Sequence, residues 1–225
     1  MGEAARAPIF AERPTQRVVP DAWRFAAAPA AGAALAAALG APWIAAGLAS
    51  VAAFIVAFFR NPERAVPAGE ADVVAPADGR VLAVDEAEDE RGRKGLRIAI
   101  FLSVFDVHVN RAPLAGRVVS IERTGSRYLA AFDPRGEREN VRLRMELELA
   151  DGRRIAVTQI TGLIARRIVC HPVVGEWLAR GVRYGLIRFG SRTDVWLPLG
   201  TQALVRRGDR VRGGATRIAR LVEPT

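Results

Sequence analysis

The sequence predicts a mainly β protein of barrel or sandwich-hybrid type, preceded by an apolar helical hairpin. Three observations carry that expectation. From Phe25 to Phe59 there is no charged residue and about half the positions are alanine. Beyond residue 60 the apolar positions recur at period two, the spacing of a strand with one buried face. Gly, Asp and Pro interrupt that alternation at short intervals, as turns do.

Taken in order, residues 1–60 form a membrane-associating segment and 61–225 one catalytic-sized domain. Within the first, Gly40-Ala41-Pro42 breaks the apolar run, leaving "WIAAGLASVAAFIVAFF" (43–59), seventeen residues, at the short end for a membrane span. Arg13, Arg17 and Arg24 precede the run, and Arg60 and Arg64 follow it. Both flanks therefore favour the cytoplasmic side, which suits a hairpin dipping into the bilayer or lying on it better than one clean span. The competing reading is a pair of buried helices in a soluble protein. A cleaved signal peptide fits poorly, since the apolar run starts too far from Met1.

"FFRNPERAVP" ends the apolar region as a linker. "RIAIFLSVF" (97–105) reads as an apolar strand, and "VRLRMELELADGRRIAVTQI" as a hairpin turning at Asp151-Gly152. "GEWLARG" (175–181) and "GDRVRGG" (208–214) share Gly, an acid, Leu or Val, and a closing Gly, the pattern of a tight turn entering a short strand. With "VVAPADGRVLAV" (73–84) they resemble half-barrels of the biotinyl/lipoyl type, a likeness of fold that carries no function by itself. A lysine-tip carrier is disfavoured, because Lys94, the only lysine, sits in "RGRKGL".

Composition narrows the chemistry. One cysteine, Cys170, excludes an internal disulfide framework and a Cys-rich zinc site. The two histidines, His108 and His171, offer no ligand spacing, so no metal is expected. The net charge of +9 comes almost wholly from scattered arginines. That suits an anionic membrane, while the absence of a basic helix or an aromatic-rich RNA-binding signature argues against nucleic acid.

"IRFGSRTDVWLP" (187–198) reads as an interrupted strand that aims Ser191 to the apolar side, directly after Gly190. A plain bulge with a satisfied serine is the ordinary reading. The chemical one makes the Gly190–Ser191 peptide the reactant. Ser191 Oγ reaches the preceding carbonyl through a five-membered ring, and a glycine there tolerates strained backbone. An N-to-O acyl shift gives an ester; β-elimination cuts the chain and leaves dehydroalanine, which hydrolyses to a pyruvoyl group. Its ketone would form a Schiff base with a substrate amine and accept the electrons released as CO₂ leaves. Pyridoxal phosphate does the same as a bound cofactor, and no setting for it surrounds Lys94.

Five collinear blocks, "FFRNPER", "APADGRV", "FLSVFDVHVNRAP", "ITGLIARRIVC" and "IRFGSRTDVWLP", resemble the short, single-domain (type A) phosphatidylserine decarboxylases over roughly residues 50 to 222. The resemblance implies cleavage between Gly190 and Ser191 into a β chain of 1–190 and an α chain of 191–225, paired as a heterodimer with room for a higher oligomer. It implies a covalent pyruvoyl from Ser191, no metal and no pyridoxal phosphate, and conversion of phosphatidylserine in an anionic membrane to phosphatidylethanolamine. The expected location is the cytoplasmic face of the cell membrane. Asp78 matches the family's aspartate and His108 its first histidine. Arg111 stands where longer relatives have the second histidine assigned to self-cleavage, so a Ser-His-Asp triad does not carry over.

Each role has a plainer counterpart. Asp78 is either a turn residue or the base or orienting carboxylate of self-cleavage. His108 is either a packed strand histidine or the group that returns a proton to the substrate carbanion or places its carboxylate. Arg111, Arg166, Arg167 and Arg192 are either solvated or partners of the head-group phosphate or carboxylate. Cys170 is expected in the core, and His171 has no assigned role. Two further functions compete: a pyruvoyl decarboxylase for a related amino-acid head group, and a membrane-tethered adaptor with no chemistry.

Overall fold

A computed structural model describes residues 17–89, 91–129, 133, 135–163, 167–188 and 191–222. The chain divides into two compact units, one over Pro14–Glu63 and the other containing Arg64–Thr225.

The first unit is the expected hairpin. Helix α1 runs Asp21–Ala38 and α2 Pro42–Phe58. Gly40, at φ 72°, ends α1 where an L side chain would be strained. The amides of Gly40 and Ala41 bond back to the carbonyls of Ala37 and Ala36, the crossed pair of a Schellman turn. Pro42 then starts α2 at a position that has no amide bond to lose. Backbone bonds from Val19 to Phe59 and from Asn61 to Arg17 close the base, with Phe58 and Phe59 buried there and Phe25 stacked on Phe59. Along the hairpin Trp23, Leu35, Leu39, Trp43 and Ile44 are exposed. No helix among the described residues is long and apolar enough to cross a membrane.

The second unit is β. Its largest sheet has eight strands, in the order β13 (Arg210–Val211), β2 (Gly79–Glu88), β3 (Lys94–Leu102), β11 (Ser191–Pro198), β7 (Arg154–Ile160), β6 (Arg142–Glu148), β5 (Gly116–Thr124) and β9 (Trp177–Leu178). Two three-stranded sheets complete it. One is β1 (Asp72–Val74), β14 (Arg217–Arg220) and β12 (Gln202–Ala203); the other is β4 (Val109–Arg111), β10 (Arg183–Arg188) and β8 (Arg167–Cys170). The predicted hairpin is β6–β7, turning through Gly152 at φ 84°. One face of the large sheet packs Ile98, Ile100, Met145, Leu147, Val157, Val195 and Leu197 into the main core, with Cys170 against it. Burial, helped by Glu176, pushes the Cys170 thiol up to about 12. The opposite face carries charge, including Arg97–Asp85, Arg192–Asp194 and a buried cluster of Arg144, Asp89 and Glu146.

The two turn-and-strand segments behave alike. Each inserts a short strand, β9 or β13, at one edge of the eight-stranded sheet. Each also clamps a second repeat that folding makes visible, Ala75-Pro76-Ala77-Asp78-Gly79-Arg80-Val81 and Ala112-Pro113-Leu114-Ala115-Gly116-Arg117-Val118. Gly214 and Gly181 donate to Ala75 and Ala112, and Gly208 and Gly175 donate to Val81 and Val118. The half-barrels are thus two copies of one device, and in both the sheet edge is covered by a turn.

One segment departs from the sequence reading. Residues 187–198 are not a single interrupted strand. β10 ends at Arg188 and β11 begins at Ser191, and they belong to different sheets. From Ser191 to Pro198 the ladder to β3 is unbroken, so no bulge lies there.

At Gly79, φ is 151°, and a Cβ would stand 2.0 Å from the Phe101 carbonyl oxygen. Gly79→Ala is expected to cost more than about 2 kcal/mol in urea unfolding. Gly152→Ala, also at positive φ but in open space, should cost only about 1 kcal/mol.

Candidate active site

Ser191 opens β11 in the middle of the large sheet, opposite Leu102 of β3. Its side is set by strand alternation: Thr193, Val195 and Leu197 share it, and Val195 and Leu197 lie in the core. The hydroxyl is fully buried, and Oγ has no hydrogen-bond partner among the described residues. Leaving such a group unsatisfied costs about 1–3 kcal/mol, so it marks a place where packing has not been optimised for stability alone.

Beside it lies a chain of buried amides. Thr193 pairs in register with Gln159 of β7. Gln159 Nε2 donates to Asn110 Oδ1 at 2.7 Å, and Asn110 Nδ2 approaches Thr193 Oγ1 at 3.5 Å. Gln159 Oε1, also buried, has no partner among the described residues. Two residues before Asn110, His108 is buried, with Nδ1 3.0 Å from the Asp106 carbonyl oxygen. The His108 carbonyl accepts from the amide of Ile187, close to the end of β10. The β4 segment therefore brings His108 and Asn110 to the two strands that flank residues 189–190.

Asp78 arrives from the other side. Arg80 and Arg192 both pair with Phe101, so the start of β2 lies across β3 from Ser191, roughly 10 Å away at two strand spacings. Arg64 grips the Asp78 carboxylate with two bonds of 2.7 Å, and the Gly213 amide donates to Oδ1 at 2.8 Å. In the second copy of the repeat this position is Ala115, and the counterpart of Gly213 is Arg180. The turn folds without a carboxylate there, so Asp78 answers a need that the fold does not impose. Arg111 is buried and donates to the Gly181 carbonyl at 3.1 Å. Burial, with repulsion from Arg183 and Arg64, brings its guanidinium down to about 10 against the attraction of Asp78. Arg111 thus lies within electrostatic reach of Arg64, Arg183 and the Asp78 carboxylate.

The other candidates stand apart. Arg192, adjacent to Ser191, points to the opposite face and is paired with Asp194 at 2.6 and 2.7 Å. Arg167 is exposed at the start of β8, opposite Arg188. Gly190 and Arg166 lie outside the described residues. The amide chain of Asn110, Gln159 and Thr193, and the anchor Arg64, are absent from the sequence-based site. Thr193 and Gln159 were readable as polar residues at positions whose parity points into the core; Arg64 had no local signal.

Comparison with known proteins places these features in a family. A family model described as phosphatidylserine decarboxylase matches residues 51–219. A phosphatidylserine decarboxylase proenzyme of Symbiobacterium thermophilum is 51% identical over 176 residues, 77% of this chain and 82% of the relative. The proenzyme of Pelobacter propionicus is 52% identical over 169 residues, covering 75% and 77%. That of Burkholderia ambifaria is 44% identical over 169 residues, covering 75% and 79%.

Arg64→Met is expected to release the Asp78 loop, lowering stability by about 1–3 kcal/mol and slowing chain processing, followed by gel time course. Arg64→Lys should recover the processing only in part, since one ammonium cannot replace the two-pronged grip.

Proposed function

This chain belongs to the phosphatidylserine decarboxylase family, and we propose that Ser191 is the residue from which it makes its own pyruvoyl group. It is a carboxy-lyase that converts phosphatidylserine to phosphatidylethanolamine and CO₂, and it is made as a proenzyme. That sets aside the reading as a tethered adaptor. The observation that carries the proposal is the buried Ser191 hydroxyl without a partner among the described residues. Such a hydroxyl can turn toward the carbonyl of the preceding peptide without first breaking a hydrogen bond to a described residue.

Roles for the neighbours follow from their chemistry. Asn110 and Gln159 bring amide N–H groups to the serine's side of the sheet, donors of the type that stabilise a developing oxyanion. Asp78, fixed by Arg64 and Gly213, orients the turn beside β3 during self-cleavage. Its ion pair favours an orienting role over that of a base. The pyruvoyl group supplies a ketone that takes up the electrons of the departing carboxylate. His108, buried with Nδ1 3.0 Å from the Asp106 carbonyl oxygen, is the imidazole that would deliver a proton to the product carbon. Arg111, buried near the Asp78 turn and bonded to the Gly181 carbonyl, is the described arginine we assign to the phosphate or carboxylate of the head group. Cleavage at Ser191 would leave a β chain of 1–190 and an α chain of 191–225, held together without a covalent link.

The enzyme acts on a lipid and is membrane-associated. The exposed Trp23, Leu39, Trp43 and Ile44 support the hairpin as its anchor. At about 1.5 Å per residue, the 17 residues of α2 reach about 26 Å, short of the roughly 30 Å hydrocarbon core, which supports an interfacial position; the arginines flanking the hairpin support the cytoplasmic face.

Intact-mass measurement and denaturing electrophoresis test this directly. The active protein should show two chains, the smaller of 35 residues with a blocked N-terminus. Ser191→Ala should persist as one 24.3 kDa chain without activity; a cleaved, active Ser191→Ala protein would overturn the assignment.

A further inference from the structure

Ser191 has no exposure, yet its substrate is held in a bilayer by two acyl chains. The strands on either side of it end level with it. β3 stops at Leu102, the partner of Ser191, and β7 stops at Ile160, the partner of Arg192. Three residues beyond each end stands an exposed apolar side chain, Phe105 at 73% and Leu163 at 66%. Single exposed apolar residues are ordinary on protein surfaces. Here two of them sit on separate loops at the one end of the sheet where the serine lies.

The loop bearing Phe105 is not loosely held. Asp106 Oδ2 accepts from both the amide and the hydroxyl of Ser103, at 2.8 and 2.7 Å, and the Asp106 amide donates to the Ser103 carbonyl. This closed turn presents Phe105 outward while the Asp106 carbonyl oxygen lies against His108. On the neighbouring flank, Arg167 is exposed opposite Arg188, the last residue of β10. An apolar pair with basic charge nearby matches the chemistry of an anionic bilayer surface, hydrocarbon below and phosphate at the rim.

We propose that Phe105 and Leu163 are a second membrane contact, inserted at the acyl-chain boundary around the mouth of the site; this rests on Ser191 being the reacting centre. Lifting a phosphatidylserine head group toward a buried serine would otherwise draw the glycerol and upper acyl carbons into water. An apolar rim lets those atoms pass from lipid to protein without that exposure. The contact acts on substrate entry and leaves the chemistry alone. The occupant is the bilayer itself, chosen over a protein partner because the substrate resides there.

Two measurements on the full-length, processed protein decide it. In Phe105→Trp, the added indole fluorescence should be quenched by phosphatidylcholine–phosphatidylserine vesicles brominated on their acyl chains, compared with unbrominated ones. An added indole that stays unquenched overturns the proposal, whatever the activity. In Phe105→Ser with Leu163→Ser, kcat/KM for phosphatidylserine in vesicles should fall about five- to thirty-fold. Turnover of a short-chain phosphatidylserine dissolved as monomers should stay within about two-fold of wild type. Equal losses on both substrates, or no loss on vesicles, also overturn it. Failure of the underlying assignment looks different: Ser191→Ala would still be cleaved and release CO₂, and the quenching would still report whether the loop meets lipid.

Discussion

A single constraint governs the β unit: a hydroxyl is kept buried, without a hydrogen-bond partner among the described residues, beside the peptide it is proposed to cut. Water or a neighbouring carbonyl would satisfy Ser191 and lower its energy. Burial removes Ser191 from bulk water, and register sets apolar Leu102 opposite it. β11 lies between β3 and β7, with apolar partners along its inward face, and Ser191 is the first residue of that ladder. The cost of the unsatisfied group is small beside the burial of Ile98, Ile100, Val157, Val195 and Leu197 on the same face. A well-packed sheet can therefore hold one unsatisfied hydroxyl that a smaller core could not.

The second constraint is how a duplicated scaffold becomes one site. The two Ala-Pro repeats accept matching backbone bonds, each fastened by a glycine-bounded turn. Function enters where the copies differ. Asp78 stands against Ala115, and Gly213 against Arg180. Only the first copy has a carboxylate, and only there does the clamping turn present a small residue whose amide can reach it. Arg64, from the connecting segment, supplies the opposing charge. Pseudo-symmetry thus separates what the fold needs from what the chemistry needs.

Much of this was legible in the residues. Period-two alternation and Asp151-Gly152 gave the β6–β7 hairpin, and Gly40-Ala41-Pro42 the break between the helices. The paired turn segments pointed to half-barrels because glycines at positive φ leave a fixed spacing. The break after Arg188 was less visible, since both pieces keep strand-like composition and only sheet membership distinguishes them. Arg64 was opaque for a different reason. Its partner is fourteen residues away in sequence, and charge pairing across a turn leaves no periodic trace. Arg192 misled in the opposite sense: proximity to Ser191 in sequence places it on the other face of the sheet.

The position of β11 also determines what a break before Ser191 can do. The segment from 191 onward supplies a central strand of one sheet and two of the three strands of another, and it seals an edge through β13. Nicked there, the molecule remains laced together by ladders on both sides of that strand. The short piece could leave only if the sheet came apart. Cleavage at the proposed point would therefore change covalent state without a change of assembly, and the two pieces would be expected to share a single melting transition.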